Sequence, residues 1–286
     1  MDKIEKEKIK KLFLEKLKIF ASTLNDYVTT PDNQWTIKGF IDVFENIYTI
    51  SNDTKIVSKI LEIQLFSKFV EFAHQNDFRL VLSEKQNWYP DVSFVLKTDS
   101  SVKFAVDLKT TYRTEENAKF CNGFTLGSHG AYFIERTSSK NIQFPYSEYL
   151  GHYCLGIIYT ITILGEHFEA LTFPLNELQS IPSVIGNMTF FACEKWTIAS
   201  DKGGSGNTAN IGSINNIPDI LAGHGTFKHL GEEWFDEYWM NFGKITIVDE
   251  EGKTKKLTSL KEFLKYRGHD ESLIHPRTSK KGGKNG

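Results

Sequence analysis

The segment KFAVDLK, from Lys103 to Lys109, constrains this fold most. Its strict alternation predicts a β-strand. Phe104, Val106 and Leu108 point one way, and Ala105, Asp107 and Lys109 point the other. One face of the strand is therefore apolar, and the opposite face carries a carboxylate and an ammonium two residues apart. Just upstream, Asp91 to Leu96 predicts another strand, and Lys97 to Ser101 a turn. A tight turn between antiparallel strands brings Asp91 beside Asp107, so that two carboxylates and an ammonium converge.

Around this pair the pattern alternates helix and strand. Residues 1 to 28 predict an amphipathic helix with Ile4, Ile9, Leu12, Phe13, Leu17 and Phe20 mostly at helical spacing. Pro31, Asp32 and Asn33 break it. A second helix is expected over Thr54 to Gln75, with Ser51, Asn52 and Asp53 as candidate N-caps. Phe78 to Leu82 predicts a strand and Glu84 to Pro90 a loop. Cys154 to Leu164 is apolar and β-branched, a buried strand unless a helix enters from Tyr146. Met188 to Ile198 contains another strand, and helices close the chain near Glu232 to Phe242 and Ser259 to Tyr266. The aromatic run EEWFDEYWMNF belongs to the core rather than to base stacking. At 286 residues the chain suffices for one large domain or two small ones. No stretch is apolar and long enough to span a membrane. The charged N-terminus does not have the form of a secretory signal. Cys121, Cys154 and Cys193 fit neither a disulfide framework nor a zinc motif, which points to reduced thiols and a cytoplasmic protein.

Paired carboxylates are hard ligands suited to Mg²⁺, which keeps several waters and binds one or two carboxylates plus a phosphate. A neighbouring lysine can orient the attacking water or stabilise the transition state. On its own, the same pattern also describes a surface hairpin with a salt bridge. A third acid, Glu62, lies on a helical stripe with Phe66, Phe69 and Ala73, either as a boundary residue reaching solvent or as an auxiliary acid at a metal site. Two loops suit groove contact. Gln86 and Asn87 carry amides that match base edges. The run GGSGNTANIGS, from Gly203 to Ser213, allows close backbone approach, and its Asn207 can pair with adenine. A flexible surface loop or a phosphate nest accounts for the same glycines. Net charge is −2, so a basic DNA-binding surface would have to be local.

Seven segments in order bear a resemblance to the EcoRV-type restriction endonucleases of the PD-(D/E)xK superfamily. They are DTK (Asp53 to Lys55), the helical Glu62, KQNWYPD (Lys85 to Asp91), AVDLKTTY (Ala105 to Tyr112), FTLG (Phe124 to Gly127), KNI (Lys140 to Ile142) and GSGNTANIGSI (Gly204 to Ile214). The resemblance covers about residues 50 to 245 and implies an α/β (α+β) fold, a restriction-endonuclease-like mixed β-sheet flanked by helices. It implies a cytoplasmic homodimer that embraces double-stranded DNA and uses Mg²⁺ to make blunt cuts at a palindrome resembling GATATC. A cognate methyltransferase is the implied partner in the same restriction system. Asp91, Asp107 and Lys109 fall on the catalytic motif and Glu62 on its auxiliary acid; Asp91, Asp107 and Glu62 are the implied metal ligands. Gln86 and Asn87 fall on the minor-groove loop. Gly204, Ser205, Gly206, Asn207 and Thr208 fall on the major-groove loop. Thr111, Thr125 and Lys140 fall where the family approaches the DNA backbone or supports the site. The implied organisation is an N-terminal helical and dimerisation region over 1–50, an endonuclease core over 51–270 and a basic flexible tail over 271–286. Ala209 stands where the family has a second threonine, SHGAYF (Ser128 to Phe133) carries an extra residue, and the first fifty or so residues and the tail lack a clear counterpart. Two alternatives remain open: a repair or junction-resolving nuclease of the same superfamily, and a DNA-binding module that has lost catalysis.

Overall fold

A computed structural model describes residues 2–85, 87–204, 207–248 and 252–278, with the backbone alone at Asn207 and Thr208. Helix α1 (Lys3–Val28) starts at Asp2, whose carboxylate accepts the Glu5 N–H. Strands β1 (Gly39–Ile41) and β2 (Asn46–Thr49) form a hairpin, and α2 (Thr54–Gln75) follows. Asp53 caps α2 by accepting from the backbone N–H groups of Lys55 and Ile56. Next come β3 (Phe78–Leu82), β4 (Val92–Leu96), β5 (Lys103–Thr114), β6 (Asn117–Cys121) and β7 (Thr125–Ser128). They are followed by β8 (Gly151–Ile161), β9 (Thr172–Pro174), β10 (Ile185–Glu194), β11 (Ala199–Gly204) and β12 (Asn207–Ser213). The chain ends in α3 (Ile217–Ala222), α4 (Glu232–Asn241), the antiparallel pair β13 (Thr246–Val248) and β14 (Thr254–Lys256), and α5 (Leu260–Tyr266).

The main sheet runs β10-β8-β5-β4-β3, with β6 paired to the far end of β5. It is mixed, because β5 and β8 are parallel and the other pairs antiparallel. Period-two alternation in β5 assigns its two faces to two cores. Phe104, Val106 and Leu108 join the α1 and α2 side, and Ala105 joins the side of α4 and α5. Helices therefore flank a mixed sheet.

Three details differ from the sequence expectation. In α1 the buried stripe is Phe13, Leu17, Ala21, Leu24 and Val28, whereas Ile4 and Leu12 face outward, Leu12 being 50% exposed. In α2 the stripe holding Glu62 is buried only in part: Phe69 and Ala73 join the core with Val57, Leu61, Leu65 and Phe72, whereas Phe66 is 41% exposed and Glu62 is exposed as well. The glycine-rich run is largely strand: β12 pairs with both β11 and β7. Glycine is required where those backbones meet, since a Cβ at Gly212 would lie 2.7 Å from the Lys202 carbonyl oxygen.

Candidate active site

Asp91 immediately precedes β4, and the pairing of Val92 with Val106 sets it opposite Asp107 on β5. The Asp91 backbone N–H donates to Asp107 Oδ1 at 3.2 Å, and the Leu108 N–H donates to Asp91 Oδ2 at 2.8 Å. Lys109 Nζ lies 3.1 Å from Asp107 Oδ2. The two carboxylates and the ammonium thus meet at one edge of two adjacent strands. Burial and the neighbouring Asp107 carboxylate push Asp91 up to about 6, against the downward pull of Lys109 and the Leu108 N–H. Burial opposes the charge on Lys109, but Asp107 and Asp91 outweigh it and hold the lysine above its ordinary value.

The raised Asp91 has a defined consequence for cation binding. Between its ordinary value near 3.8 and about 6, the folded metal-free protein holds a proton that the unfolded chain has released. Folding therefore loses stability from this group as pH rises through that window. A cation binding the pair must displace the same proton on the acid side. Calorimetric titration of a divalent cation should show affinity falling as pH drops from roughly 7 to 5, by up to about tenfold per unit below about 6. An affinity flat across that range would remove Asp91 from the ligand set.

Asp91 and Glu62 both line a cleft of about 950 Å³, together with Thr54, Lys55, Ser58, Lys59, Lys85, Asn87, Trp88, Thr110 and Thr125. Glu62 Oε1 accepts from Lys59 Nζ at 2.8 Å. An adjoining hollow is lined by Lys109, Thr111 and Thr125 as well as Asp91 and Glu62. Gly204, at the end of β11, abuts this wall, because a Cβ there would lie 3.1 Å from Thr125 Oγ1. The hairpin and the acid pair are thereby joined through β7. Lys140 is exposed on a loop and is not among the described residues that line the cleft. Gln86, Ser205 and Gly206 lie outside the described residues, as do the side chains of Asn207 and Thr208. Sequence reasoning assigned no site role to Lys55, Ser58 and Lys59. Their spacing with Glu62 along α2 was the available signal: positions separated by three and four residues share a helix face.

Helices flanking a mixed sheet, with an acid pair and a lysine at the rim of a lysine-bearing cleft, define a restriction-endonuclease-like fold. The model of the restriction endonuclease EcoRV family matches residues 31–268. The type II restriction enzyme EcoRV of Escherichia coli is 32% identical over 240 residues, covering 83% of this chain and 94% of that protein. This chain belongs to the EcoRV family of restriction endonucleases. It is a type II site-specific deoxyribonuclease. The match begins at residue 31, so part of the N-terminal region without an apparent counterpart in the motifs falls inside the family's span.

Proposed function

We propose that the enzyme cuts both strands of duplex DNA at a palindrome resembling GATATC, in a Mg²⁺-dependent reaction that leaves blunt ends. The carrying observation is the acid pair with Lys109 Nζ 3.1 Å from Asp107, beside a cleft lined by Lys55, Lys59 and Lys85. Asp91 and Asp107 would hold the ion, and Glu62, which lines the same cleft as Asp91, would be the further acid. When bound, Mg²⁺ supplies a water activated for attack and neutralises charge developing on the phosphate. Lys109, kept charged by both carboxylates, donates hydrogen bonds to the attacking water or to a phosphoryl oxygen. Asp107 orients that lysine through their direct ion pair. The three cleft lysines neutralise backbone phosphates, which contributes affinity without sequence information. Thr111, Thr125 and Lys140 assist at the DNA backbone.

Sequence is read by two segments in this proposal. Gln86 and Asn87 face the minor groove, and Gly204, Ser205, Gly206, Asn207 and Thr208 approach the major groove. Asn207→Ala should weaken binding to the cognate site by about 1–3 kcal/mol, with little change on random DNA. Equal weakening on both DNAs in a filter-binding comparison would reduce the loop to a backbone contact.

Two cuts at a palindrome call for two copies related by a two-fold axis. The β1–β2 hairpin supports this arrangement. Phe40, Ile41, Val43, Phe44 and Tyr48 are exposed together on it, Val43 by 90% and Phe44 by 81%. The 1–50 region therefore suits a homodimer interface, while the buried face of α1 packs on its own sheet. Among the described residues no helix is long and apolar enough to cross a membrane. The enzyme acts on DNA in the cytoplasm, alongside a methyltransferase that protects the same sites. The deciding experiment is to digest a plasmid of known sequence in Mg²⁺ and sequence the ends. Discrete fragments with flush ends at one palindrome are expected, from a species sedimenting as a dimer of the 32.7 kDa chain. Staggered ends or structure-dependent nicks would reject the proposal.

A further inference from the structure

Behind the acid pair, on the face of the sheet away from α1 and α2, aromatic rings surround a single buried ammonium. Lys195 directly follows β10 and is only 2% exposed. Its Nζ lies 4.8 Å from the centre of the Tyr89 ring, 5.4 Å from that of Tyr146 and 5.6 Å from that of Phe133. It has no hydrogen-bond partner among the described residues. Burying an ammonium without a hydrogen-bonded partner is costly, and ring faces offset part of that cost when water is excluded. Methionine would fill similar space without the cost, so the charge itself calls for a role.

Its surroundings indicate that role. Burial lowers the pKa of Lys195 to about 8, with Asp107 and Asp236 acting in the opposite direction. Asp236 is already paired with Arg136, Oδ1 to Nη2 at 2.7 Å. Asp107 and Asp91 together carry two negative charges against the one positive charge of Lys109. Lys195 is a second ammonium in the neighbourhood, whose pKa the Asp107 carboxylate raises against the effect of burial. The same ammonium bears on Tyr89, two residues before Asp91. Other contacts also hold Tyr89. Its ring stacks on Tyr132 at 5.2 Å, and its hydroxyl hydrogen-bonds with His152 Nδ1 at 2.8 Å. Its N–H donates to the Asn141 carbonyl, and its own carbonyl accepts from the Gln143 N–H.

We propose that Lys195 is a positioning residue of the active site: its caged ammonium pins the Tyr89 ring, and with it the Tyr89–Pro90–Asp91 corner. This inference rests on the assignment of Asp91 and Asp107 to the cleavage site. Small displacements of such groups cost large factors in rate.

The test uses the full-length protein and its Lys195→Met and Lys195→Arg variants. Single-turnover cleavage of a GATATC duplex is measured in saturating Mg²⁺, duplex binding in Ca²⁺, and thermal unfolding in parallel. Lys195→Met should slow cleavage by about tenfold or more, with duplex affinity within about twofold. Lys195→Arg keeps the charge and can stack on the rings, so it should recover the rate to within about threefold. A Met variant that cleaves like the parent overturns the proposal. So does a rate loss that follows lost affinity and stability and is not recovered by Arg, which would make Lys195 a packing residue only. Should the Met variant not fold, a folded Arg variant slowed more than about tenfold overturns the role of the charge, and a near-parental one supports it. Failure of the parent protein to cut in Mg²⁺ rejects the active-site assignment, and this inference with it. Normal cutting by the parent and the Met variant alike rejects Lys195 alone.

Discussion

Asp107→Ala is expected to abolish cleavage, lowering the single-turnover rate by about a thousandfold or more, and to leave a folded protein that still binds duplex DNA. One oxygen of Asp107 orients Lys109 at 3.1 Å, and the other accepts the Asp91 backbone N–H at 3.2 Å. The substitution therefore removes a proposed metal ligand, frees the lysine and loosens the second acid. Several kcal/mol of transition-state stabilisation are at stake, which is the stated factor in rate. Lys109→Ala separates the roles, because it should cripple cleavage while sparing cation binding. The measurements are cleavage in Mg²⁺, cation titration and thermal unfolding. Near-parental turnover of Asp107→Ala would sink the metal assignment.

The second large effect is on stability. Phe13→Ala should cost about 3–5 kcal/mol in urea unfolding. Phe13 is the point at which α1, α2 and the sheet meet. Its ring stacks on Phe104 at 3.9 Å and contacts Tyr153 at 5.1 Å, Phe78 at 5.5 Å and Phe72 at 6.1 Å. Truncation leaves a cavity lined by rings from α2, β3, β5 and β8, which cannot all relax into it. Leu12→Ala, one position along on the outward face, should change stability by about 0.5 kcal/mol or less. Equal costs for the two would mean that α1 does not pack as described.

Lys10 shows the same helix tied down by charge. Its ammonium lies 2.8 Å from Glu232 Oε2 and 3.5 Å from Glu194 Oε1, joining α1 to α4 and to the end of β10. Burial opposes the charge on Lys10, but these carboxylates outweigh it and raise its pKa. Nothing in the N-terminal sequence shows that Lys10, rather than its neighbours Lys8 and Lys11, ties α1 to the rest of the fold, because the partners Glu194 and Glu232 lie nearly two hundred residues or more away.

The sequence by itself determined what depends on local periodicity and local turns. Alternation in KFAVDLK set both faces of β5, and the short connection from β4 brought Asp91 to Asp107. The cluster Ser51, Asn52 and Asp53 marked the start of α2, because an N-cap acts within three residues of itself, and the structure uses Asp53. Tertiary structure alone decided which apolar residues of α2 are buried: Leu61, Leu65, Phe69 and Ala73 join the core, while Ile63, Phe66 and Val70 stay exposed. It also turned the glycine-rich run into paired strands, since glycines reveal where backbones can approach but not that β7, some eighty residues earlier, is the partner. The cage around Lys195 was equally hidden. Its rings come from Tyr89, Phe133 and Tyr146, and no local pattern relates them to a lysine beyond β10. Periodicity is a property of neighbours in sequence, whereas burial and charge pairing arise between elements that only the complete fold brings together.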